Sequence, residues 1–346
     1  MKKIFIILFS LLFFCSVFSQ EEVHAIFLGE SYNGTAIPPE AIKYREIFLE
    51  MFRSGEQPGW RDFRSRYDNF VWGLMNEFEK KHRQIPHDVT HLIVRGAITP
   101  KTIWFMRDSL PNLTYLDLSQ AIFIPDVHHA RVIKKGSCYI LSYPWWFDKE
   151  NPLNNDTLCA LCDAFFTYFG LRNSRNHRNL RKVILPEVLP VIGQNAFRGT
   201  PIDSIVMPRN IRRIGNRAFM NCVNLRHISL PDGLEEIGEQ AFSGSGLTRI
   251  EIPASVRRIG LGLFGNTPNL REISVHWEDP ASVMILESNN NRLVSWSELL
   301  NEDREFWEMI LKNIPIRETK LIVPRGTREK YLAIPEWRFF QIVERE

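Results

Sequence analysis

Apolar and polar residues alternate in four short segments in the middle of the chain, and each segment ends in proline. They read LRKVILP at 180–186, IDSIVMP at 202–208, LRHISLP at 225–231 and LTRIEIP at 247–253. Alternation with a period of two predicts strands whose apolar residues point to one buried side. Proline cannot donate a ladder hydrogen bond, so we expect each strand to end before it.

Each segment is followed by an isoleucine–glycine pair and then by a phenylalanine at a fixed distance. Four units therefore run 180–201, 202–224, 225–246 and 247–269, a period of 22 or 23 residues. So short a unit cannot bury its apolar side alone, but stacked units share a continuous core, which predicts a repeat solenoid. The recurring glycine predicts a turn with positive φ or a close backbone approach. The repeated residues are Gly193, Gly215, Gly238 and Gly260, with Phe197, Phe219, Phe242 and Phe264.

This pattern, L-x-x-I-x-(I/L)-P followed by I-G, A-F and a small pair, resembles the BspA-type bacterial leucine-rich repeat. The resemblance covers 180–275 and extends to 90–125. The tail LIVPRGTREKYLAIPEWRFFQIVERE is similar to the closing segment that follows such repeats. The resemblance implies a leucine-rich-repeat solenoid on a surface or secreted protein that adheres to or binds host molecules, without enzymatic activity or cofactor.

The sequences that flank the repeats predict end structures. Residues 20–88 are predicted to form a helical N-terminal cap, with helices from Pro38 to about Arg53 and from Trp60 to Lys81, because a solenoid end needs covering. A partner or cofactor groove is the alternative for the apolar stripe of the second helix. Residues 89–179 are interpreted as opening repeats with a loop excursion. Residues 276–346 are interpreted as an insertion, with a helix at 301–313, and a closing segment.

The N-terminus predicts export. Lys2 and Lys3 precede the apolar run IFIILFSLLFFCSVF, which ends in small residues, as in a secretory signal peptide spanning residues 1–19 and cleaved before Gln20. An uncleaved anchor is the alternative. No later segment approaches the ~20 apolar residues of a membrane helix. We therefore expect a secreted or cell-surface protein without membrane insertion after cleavage.

The charge pattern argues against a nucleic-acid partner. The formal net charge is only +3. Paired charges before the isoleucine–glycine alternate in sign between units, whereas a track for a polyanion keeps one sign. We expect ion pairs between rungs rather than a basic groove. The pairs are Arg212-Arg213, Glu235-Glu236 and Arg257-Arg258.

The outward positions of the predicted strands form the candidate binding surface. Their mixed polarity suits a protein or glycan partner. One column contains Lys182, Ser204, His227, Arg249 and Glu272, and the other contains Ile184, Val206, Ser229, Glu251 and Ser274. A second candidate is the aromatic excursion with Tyr143, Trp145 and Trp146, because exposed aromatic rings stack on sugar faces; packing on the solenoid flank is its alternative. A structural subunit of a bacterial surface assembly is the alternative function.

Cysteine and histidine provide weaker candidate sites. Cys159-x-x-Cys162 has the spacing of a thiol oxidoreductase, but no βαβ pattern surrounds it. The other interpretations are that the cysteines are simply buried, or that they form a disulfide with each other or with Cys138. Cys222 is expected to be a buried residue in the slot that Gly199, Gly244 and Asn266 occupy elsewhere. The histidines at 82, 87 and 91 lack an HExxH motif, so no metal site is predicted. An enzyme with a site in 20–88 or 126–179 is the competing class.

Overall fold

The computed structural model describes residues 23–28, 85–98, 109–123, 131–135, 138–142, 179–187, 191–287, 292–299 and 310–346, with single positions 76, 106 and 189. The chain divides into two compact units. Unit 1 comprises Met1–Pro144 and Gly170–Glu187, and unit 2 comprises Trp145–Phe169 and Val188–Glu346.

Unit 1 contains a parallel sheet whose strands pair in the order β1-β2-β3-β7, with β4 also beside β2. A separate antiparallel pair is formed by β5 and β6. The strand β1 lies inside the region predicted to be a helical cap, and it pairs with β2 as the first rung of this sheet. The two predicted helices lie outside the described residues. The strands are β1 Val23–Leu28, β2 His91–Ile98, β3 Tyr115–Asp117, β4 Ala121–Phe123, β5 Arg131–Lys135, β6 Cys138–Ser142 and β7 Lys182–Ile184.

Unit 2 contains two ladders of strands. The first ladder is parallel throughout and consists of β12 Arg249–Ile252, β14 Glu272–Val275, β17 Lys320–Val323 and β18 Gln341–Glu344. The second ladder consists of β8 Val191–Ile192, β10 Arg213–Ile214, β11 Glu236–Ile237, β13 Arg258–Gly260, β15 Met284–Glu287 and β16 Arg292–Val294, of which only the last pair is antiparallel. Strand β9 is Ser204–Val206. The predicted repeat solenoid is confirmed, since equivalent strands of successive units pair in parallel.

The short helical elements that the structure describes in unit 2 lie after the repeats. Among these described elements, helix α1 spans Arg328–Leu332, and 3-10 turns span Pro280–Ser282, Trp296–Leu299 and Trp337–Phe339. Although the repeat sequence ends at 275, β15, β17 and β18 extend both ladders beyond it. The predicted helix at 301–313 lies mostly outside the described residues.

The core of unit 2 is a stack of four equivalent phenylalanines. Successive ring centroids are 5.4, 5.7 and 6.3 Å apart, and the rings are parallel to within 12°. All four rings are buried. Burial of each ring stabilises the fold by about 1.5–3 kcal/mol, so the stack accounts for the constancy of this position in the sequence. The residues are Phe197, Phe219, Phe242 and Phe264.

The repeated glycine is required by a close backbone approach, which was one of its two predicted roles. A Cβ at Gly238 would lie 2.4 Å from the amide nitrogen of Asn216, and one at Gly260 would lie 2.1 Å from that of Glu239. Positive φ occurs instead in two other columns of the repeat. These are Asn195, Arg217, Gln240 and Gly262, and then Gly199, Asn221, Gly244 and Asn266.

The predicted slot of Cys222 was wrong by one position. Its neighbour Asn221 has the positive φ of Gly199, Gly244 and Asn266, a conformation that favours glycine and asparagine. Cys222 itself aligns with Thr200, Ser245 and Thr267, all buried. Its thiol lies 3.0 Å from the carbonyl oxygen of Phe197, and Thr200 donates to the same oxygen at 2.6 Å. Burial raises the pKa of the Cys222 thiol to about 12, so this thiol is unreactive at neutral pH.

Candidate functional site

The outward face of unit 2 contains an interruption in the strand pairing. The segment 227–230 has the alternating sequence of its neighbours but is not a strand. Among the described residues, the peptide groups of His227, Ile228, Ser229 and Leu230 make no backbone hydrogen bond. Just before it, the Thr248 amide donates to the carbonyl oxygen of Arg226 at 3.1 Å. The pairing therefore stops where this segment begins.

Core residues are less well buried at this interruption. Leu230 is only half-buried, whereas Ile252 and Val275, at the same position of the next two repeats, are fully buried. Ile228 keeps 9% of its surface exposed, against 3% for Ile250. Ile205 and Met207 of the preceding repeat are exposed to the same degree, so the core is more open towards the outward face in these two repeats than in the next two.

A cleft of about 840 Å³ lies on this opening. Ile228, Leu230 and Ile250 contribute apolar lining, and the surrounding residues are mainly polar. Six of the ten predicted surface residues line the cleft: His227, Ser229, Arg249, Glu251, Glu272 and Ser274. The other four predicted residues, Lys182, Ile184, Ser204 and Val206, do not line it.

The cleft contains charged groups that have no charged partner among the described residues. Arg249 is opposite Glu272 in the β12–β14 register, yet the two make no ion pair. Asp232 lines the same cleft and is likewise unpaired within the described part of the chain. None of the described Trp, Tyr or Phe residues lines the cleft. The site therefore offers unpaired charges of both signs around an apolar floor.

One corner of the cleft is formed by a network that sequence analysis missed. The Nε2 atom of His276 lies 2.5 Å from a Glu251 carboxylate oxygen, and its Nδ1 atom lies 2.6 Å from Arg345 Nη1. Arg345 Nη2 also donates to the Ser274 hydroxyl at 2.5 Å. Arg345 Nη2 also lies 2.8 Å from His276 Nε2, so the guanidinium contacts both ring nitrogens. His276 can be noticed in the sequence because it replaces the repeated proline. Arg345 belongs to the closing segment, and nothing in the sequence around it indicates a contact with His276.

One predicted surface residue of unit 1, Lys182, lies over an aromatic side chain. The ammonium of Lys182 lies 5.6 Å from the centroid of the Tyr115 ring, and His91 stacks on that ring at 5.3 Å. Ile184 is opposite Asp117 in the β3–β7 register. Burial and the nearby Asp117 carboxylate raise the pKa of Tyr115. Sequence analysis did not select Tyr115, although it follows the strand alternation of the later repeats.

The second ladder of unit 2 carries the predicted ion pairs between rungs. Glu236 lies 3.3 Å from Arg213 and 2.8 Å from Arg258, and Glu235 lies 2.5 Å from Arg212. This prediction is confirmed. Glu235 and Glu236 thus pair with three of the four flanking arginines, whereas Arg257 makes no ion pair among the described residues. The alternation in sign keeps the ladder from presenting a continuous basic groove.

Several sequence candidates lie outside the described residues. Among them are Tyr143, Trp145, Trp146, Cys159 and Cys162, while Cys138 begins β6. His87 is described, and its Nδ1 atom contacts the Ser109 carbonyl oxygen at 3.1 Å. In the described part of the chain, no three His, Cys, Asp or Glu side chains gather as a metal site would require. The described helices include none with the length and apolarity to cross a membrane.

The repeat region matches a known family model. Residues 173–280 match the model described as "BspA type Leucine rich repeat region", with six copies. No curated protein matches the chain.

Solved structures of bacterial leucine-rich-repeat proteins are similar to parts of the chain. The T. pallidum leucine rich repeat protein (TpLRR) is 25% identical, with 43% of this chain and 70% of that chain covered and a TM-score of 0.30. The pneumococcal vaccine antigen PcpA is 12% identical, with 75% and 60% covered and a TM-score of 0.35. A leucine rich cell surface protein from Faecalibacterium prausnitzii A2-165 is 20% identical, with 66% and 55% covered and a TM-score of 0.29. The chain thus spans less than two thirds of the last two proteins.

Proposed function

Because residues 173–280 form a BspA-type leucine-rich-repeat region, we propose that this protein is an exported, non-enzymatic binding scaffold. Its binding face is the cleft of unit 2, and its ligand is a protein or glycan of another cell or of the surrounding matrix. Solenoids present extended surfaces that suit binding. Export is consistent with the signal-peptide pattern at residues 1–19.

The observation that carries the proposal is the set of unpaired charges in the cleft. Arg249 and Glu272 are on adjacent rungs of one ladder and have no charged partner in the described part of the chain, whereas Arg213 and Arg258 of the second ladder both pair with Glu236. Charges arranged in complementary patterns give an interface its specificity and its association rate. The presence of both signs favours a folded or peptide partner over a polyanion.

The arrangement of side chains in the cleft also supports a binding role rather than a catalytic one. Ser274, His276 and Glu251 are the residue types of a hydrolase triad. In a triad, however, the histidine accepts a hydrogen bond from the nucleophile. Here Arg345 lies between the two, donating both to the Ser274 hydroxyl and to His276. The arginine thus takes the position that a nucleophilic serine needs.

The test is binding of the purified protein to an array of matrix proteins and glycans. We expect Arg249→Glu to weaken a genuine interaction by about tenfold or more, because it replaces a central unpaired charge with its opposite. The matched control is Arg257→Glu, which makes the same charge change at an exposed residue of unit 2 that does not line the cleft. Circular dichroism checks that both variants are folded.

Other outcomes point to other functions. A ligand bound equally well by both variants would contradict a binding role for the cleft and direct attention to Tyr143, Trp145 and Trp146. If no ligand is retained at micromolar concentration, the protein acts instead as a structural subunit of a surface assembly. Co-purification from intact cell envelopes would then identify its partner.

A further inference from the structure

We propose that Arg345 is a positioning residue of the cleft: its guanidinium holds Ser274 and His276 near neutral pH and releases them when His276 gains a proton. The proposal rests on the proposed function and adds a regulation of the same site. Three features of the structure support it. They are a break in a column of prolines, a guanidinium without a carboxylate partner, and an imidazole that contacts two groups of opposite charge.

The first feature is that two residues in contact with each other stand where the repeat otherwise has proline. The register of the first ladder, continued past the strand ends, places Pro253, His276, Pro324 and Arg345 at equivalent positions, each directly after its strand. The His276 and Arg345 side chains meet across Pro324, with 2.6 Å between His276 Nδ1 and Arg345 Nη1. Departures from a local pattern that meet in space are typical of a functional site.

The second feature is the set of partners around the guanidinium. Among the described residues, Arg345 has no carboxylate within ion-pair distance; it donates to the Ser274 hydroxyl and contacts both ring nitrogens of His276. A guanidinium only donates, so it needs an imidazole nitrogen with a free lone pair. A neutral imidazole has one such nitrogen, and a protonated imidazole has none. The hydrogen bond between Arg345 and His276 therefore exists only while the ring is neutral.

The third feature is the alternative partner of the ring, Glu251. Its carboxylate oxygen lies 2.5 Å from His276 Nε2. Protonation of the ring turns this contact into a charge-assisted hydrogen bond, which is stronger than a neutral one. Protonation also places the ring beside a second cation, Arg345, at 2.6 and 2.8 Å. Since histidine changes charge between about pH 5 and 8, mild acid moves His276 from Arg345 to Glu251.

The remaining charged groups of the neighbouring strands do not alter this balance by direct contact. In the described part of the chain, Glu251 and Arg345 are the charged residues within hydrogen-bond distance of the ring. Glu344 of β18 instead accepts from the Arg328 amide at 2.9 Å. The other charged residues on and just after the packed strands make no hydrogen bond or ion pair with His276. They are Arg249, Glu272, Glu278, Lys320 and Arg325.

Release of Arg345 changes one wall of the cleft. Ser274 and His276 line the cleft, whereas Arg345 is not among the lining residues and acts through them. Side chains that are already held form a wall that a ligand meets without the cost of ordering it. After release, the Ser274 hydroxyl has lost its donor and the ring turns towards Glu251. We therefore expect the cleft to bind its ligand about threefold more weakly at pH 5.5 than at pH 7.5.

The first experiment measures amide hydrogen exchange of the full-length protein at pH 7.5 and pH 5.5, with rates corrected for the intrinsic effect of pH. The Arg345 N–H donates to the Val323 carbonyl oxygen at 2.9 Å, so its protection reports on this end of the ladder. We expect protection in a peptide covering 341–346 to fall by about fivefold in acid. The control is Lys320, whose N–H donates to the Arg271 carbonyl oxygen at 2.8 Å and should keep its protection. Equal protection of 341–346 at both pH values would overturn the proposal.

Two variants assign the effect to the two side chains. His276→Gln keeps a neutral hydrogen-bond acceptor at both pH values, so 341–346 should remain protected at pH 5.5. Arg345→Met keeps the length of the side chain without its donors, so 341–346 should exchange at pH 7.5 about as fast as the unmodified protein does at pH 5.5. Circular dichroism checks that both variants are folded. If His276→Gln loses as much protection in acid as the unmodified protein, the proposal fails whether or not Arg345→Met folds.

Ligand binding separates this proposal from the proposed function. The array ligand is measured at pH 7.5 with Arg345→Met, Arg249→Glu and the control Arg257→Glu. If Arg249→Glu weakens binding and Arg345→Met does not, the cleft is the binding site but Arg345 does not position it. The proposed function then stands and this proposal fails. If Arg249→Glu binds as well as Arg257→Glu does, the proposed function fails, and Arg345 positions no binding site.

Discussion

The two ladders of unit 2 are built from the same repeats but differ in how the charged side chains of adjacent rungs are paired. In the second ladder, Glu236 lies between Arg213 and Arg258 and within ion-pair distance of both. In the first ladder, Arg249 and Glu272 are adjacent without pairing, and the segment 227–230 makes no backbone hydrogen bond to any described residue. Ion pairs therefore connect adjacent rungs in the second ladder, whereas Arg249 and Glu272 do not connect theirs in the first.

The largest expected effect comes from the core that both ladders share. Phe242→Ala should lower the free energy of unfolding by about 3–5 kcal/mol, because it removes a buried ring between two stacked neighbours. Urea denaturation followed by circular dichroism measures the change. Since both ladders rest on this stack, a loss below about 1 kcal/mol would mean that the repeats are not held by their common core.

A pH experiment separates overall stability from the cleft. Glu336, in the closing segment, is fully buried, and its Oε2 atom has no hydrogen-bond partner among the described residues. Burial raises the pKa of this carboxyl from 4.5 to about 8. Between these values the folded state holds a proton that the unfolded state releases. The contribution of this carboxyl to stability is therefore fully present below pH 4.5 and is lost as the pH rises through about 8.

The variant Glu336→Gln should remove this contribution to the pH dependence. Urea denaturation at pH 5 and at pH 8.5 provides the measurement, with Glu346→Gln at the exposed chain end as the control. Binding at the cleft should keep its affinity in Glu336→Gln at both pH values. An unchanged pH dependence of unfolding would show that the carboxyl is ionised in the folded state at neutral pH.

A smaller effect is expected at the paired charges of the second ladder. Glu236→Gln should destabilise the protein by about 1–3 kcal/mol, since it leaves two partly buried arginines without their carboxylate. Chemical denaturation in low and high salt measures it. A loss of unfolding free energy of about 0.3 kcal/mol or less would mean that the ion pairs of this ladder stabilise the protein no more than the unpaired charges of the cleft do.

The smallest effect on stability belongs to the cleft. Arg249→Ala and Glu272→Ala should each change the free energy of unfolding by less than about 0.5 kcal/mol, because neither side chain has an ion-pair partner among the described residues. The same urea titration gives the value. If either variant lost as much unfolding free energy as Glu236→Gln, the charges of the two ladders would not differ in their contribution to stability.

The core and the ion pairs could be predicted from sequence because they repeat at a fixed spacing. Phe219 and Glu236 have equivalents in the neighbouring units, and parallel stacking brings equivalents together. The interruption at 227–230 could not be predicted in this way. Its sequence, HISL, keeps the apolar alternation of the other strands, so the loss of pairing arises from stacking between turns rather than from local pattern.

Long separations in the chain account for the other differences. Strand β1 pairs with β2, which lies more than 60 residues later, and no repeat connects the two. Arg345 reaches Ser274 across 71 residues. The predicted slot of Cys222 was wrong by one position because the sequence alone does not show which of the residues 221 and 222 occupies the left-handed turn position. The structure distinguishes them, since Asn221 has positive φ and Cys222 is buried.

The turns between the ladders have a consequence for how such a protein can change its length. Equivalent turn residues bond from one coil to the next, as Phe219 to Ala241, Asn221 to Ser243 and Gly244 to Gly265. An inserted residue between Gly238 and Gly244 would misalign these bonds, the positive-φ position and the phenylalanine stack at once. Duplication or loss of a whole 22- or 23-residue coil preserves all of them. The solenoid is therefore modular in units of one coil. Its length can change by gain or loss of whole coils while the packing of its core is preserved.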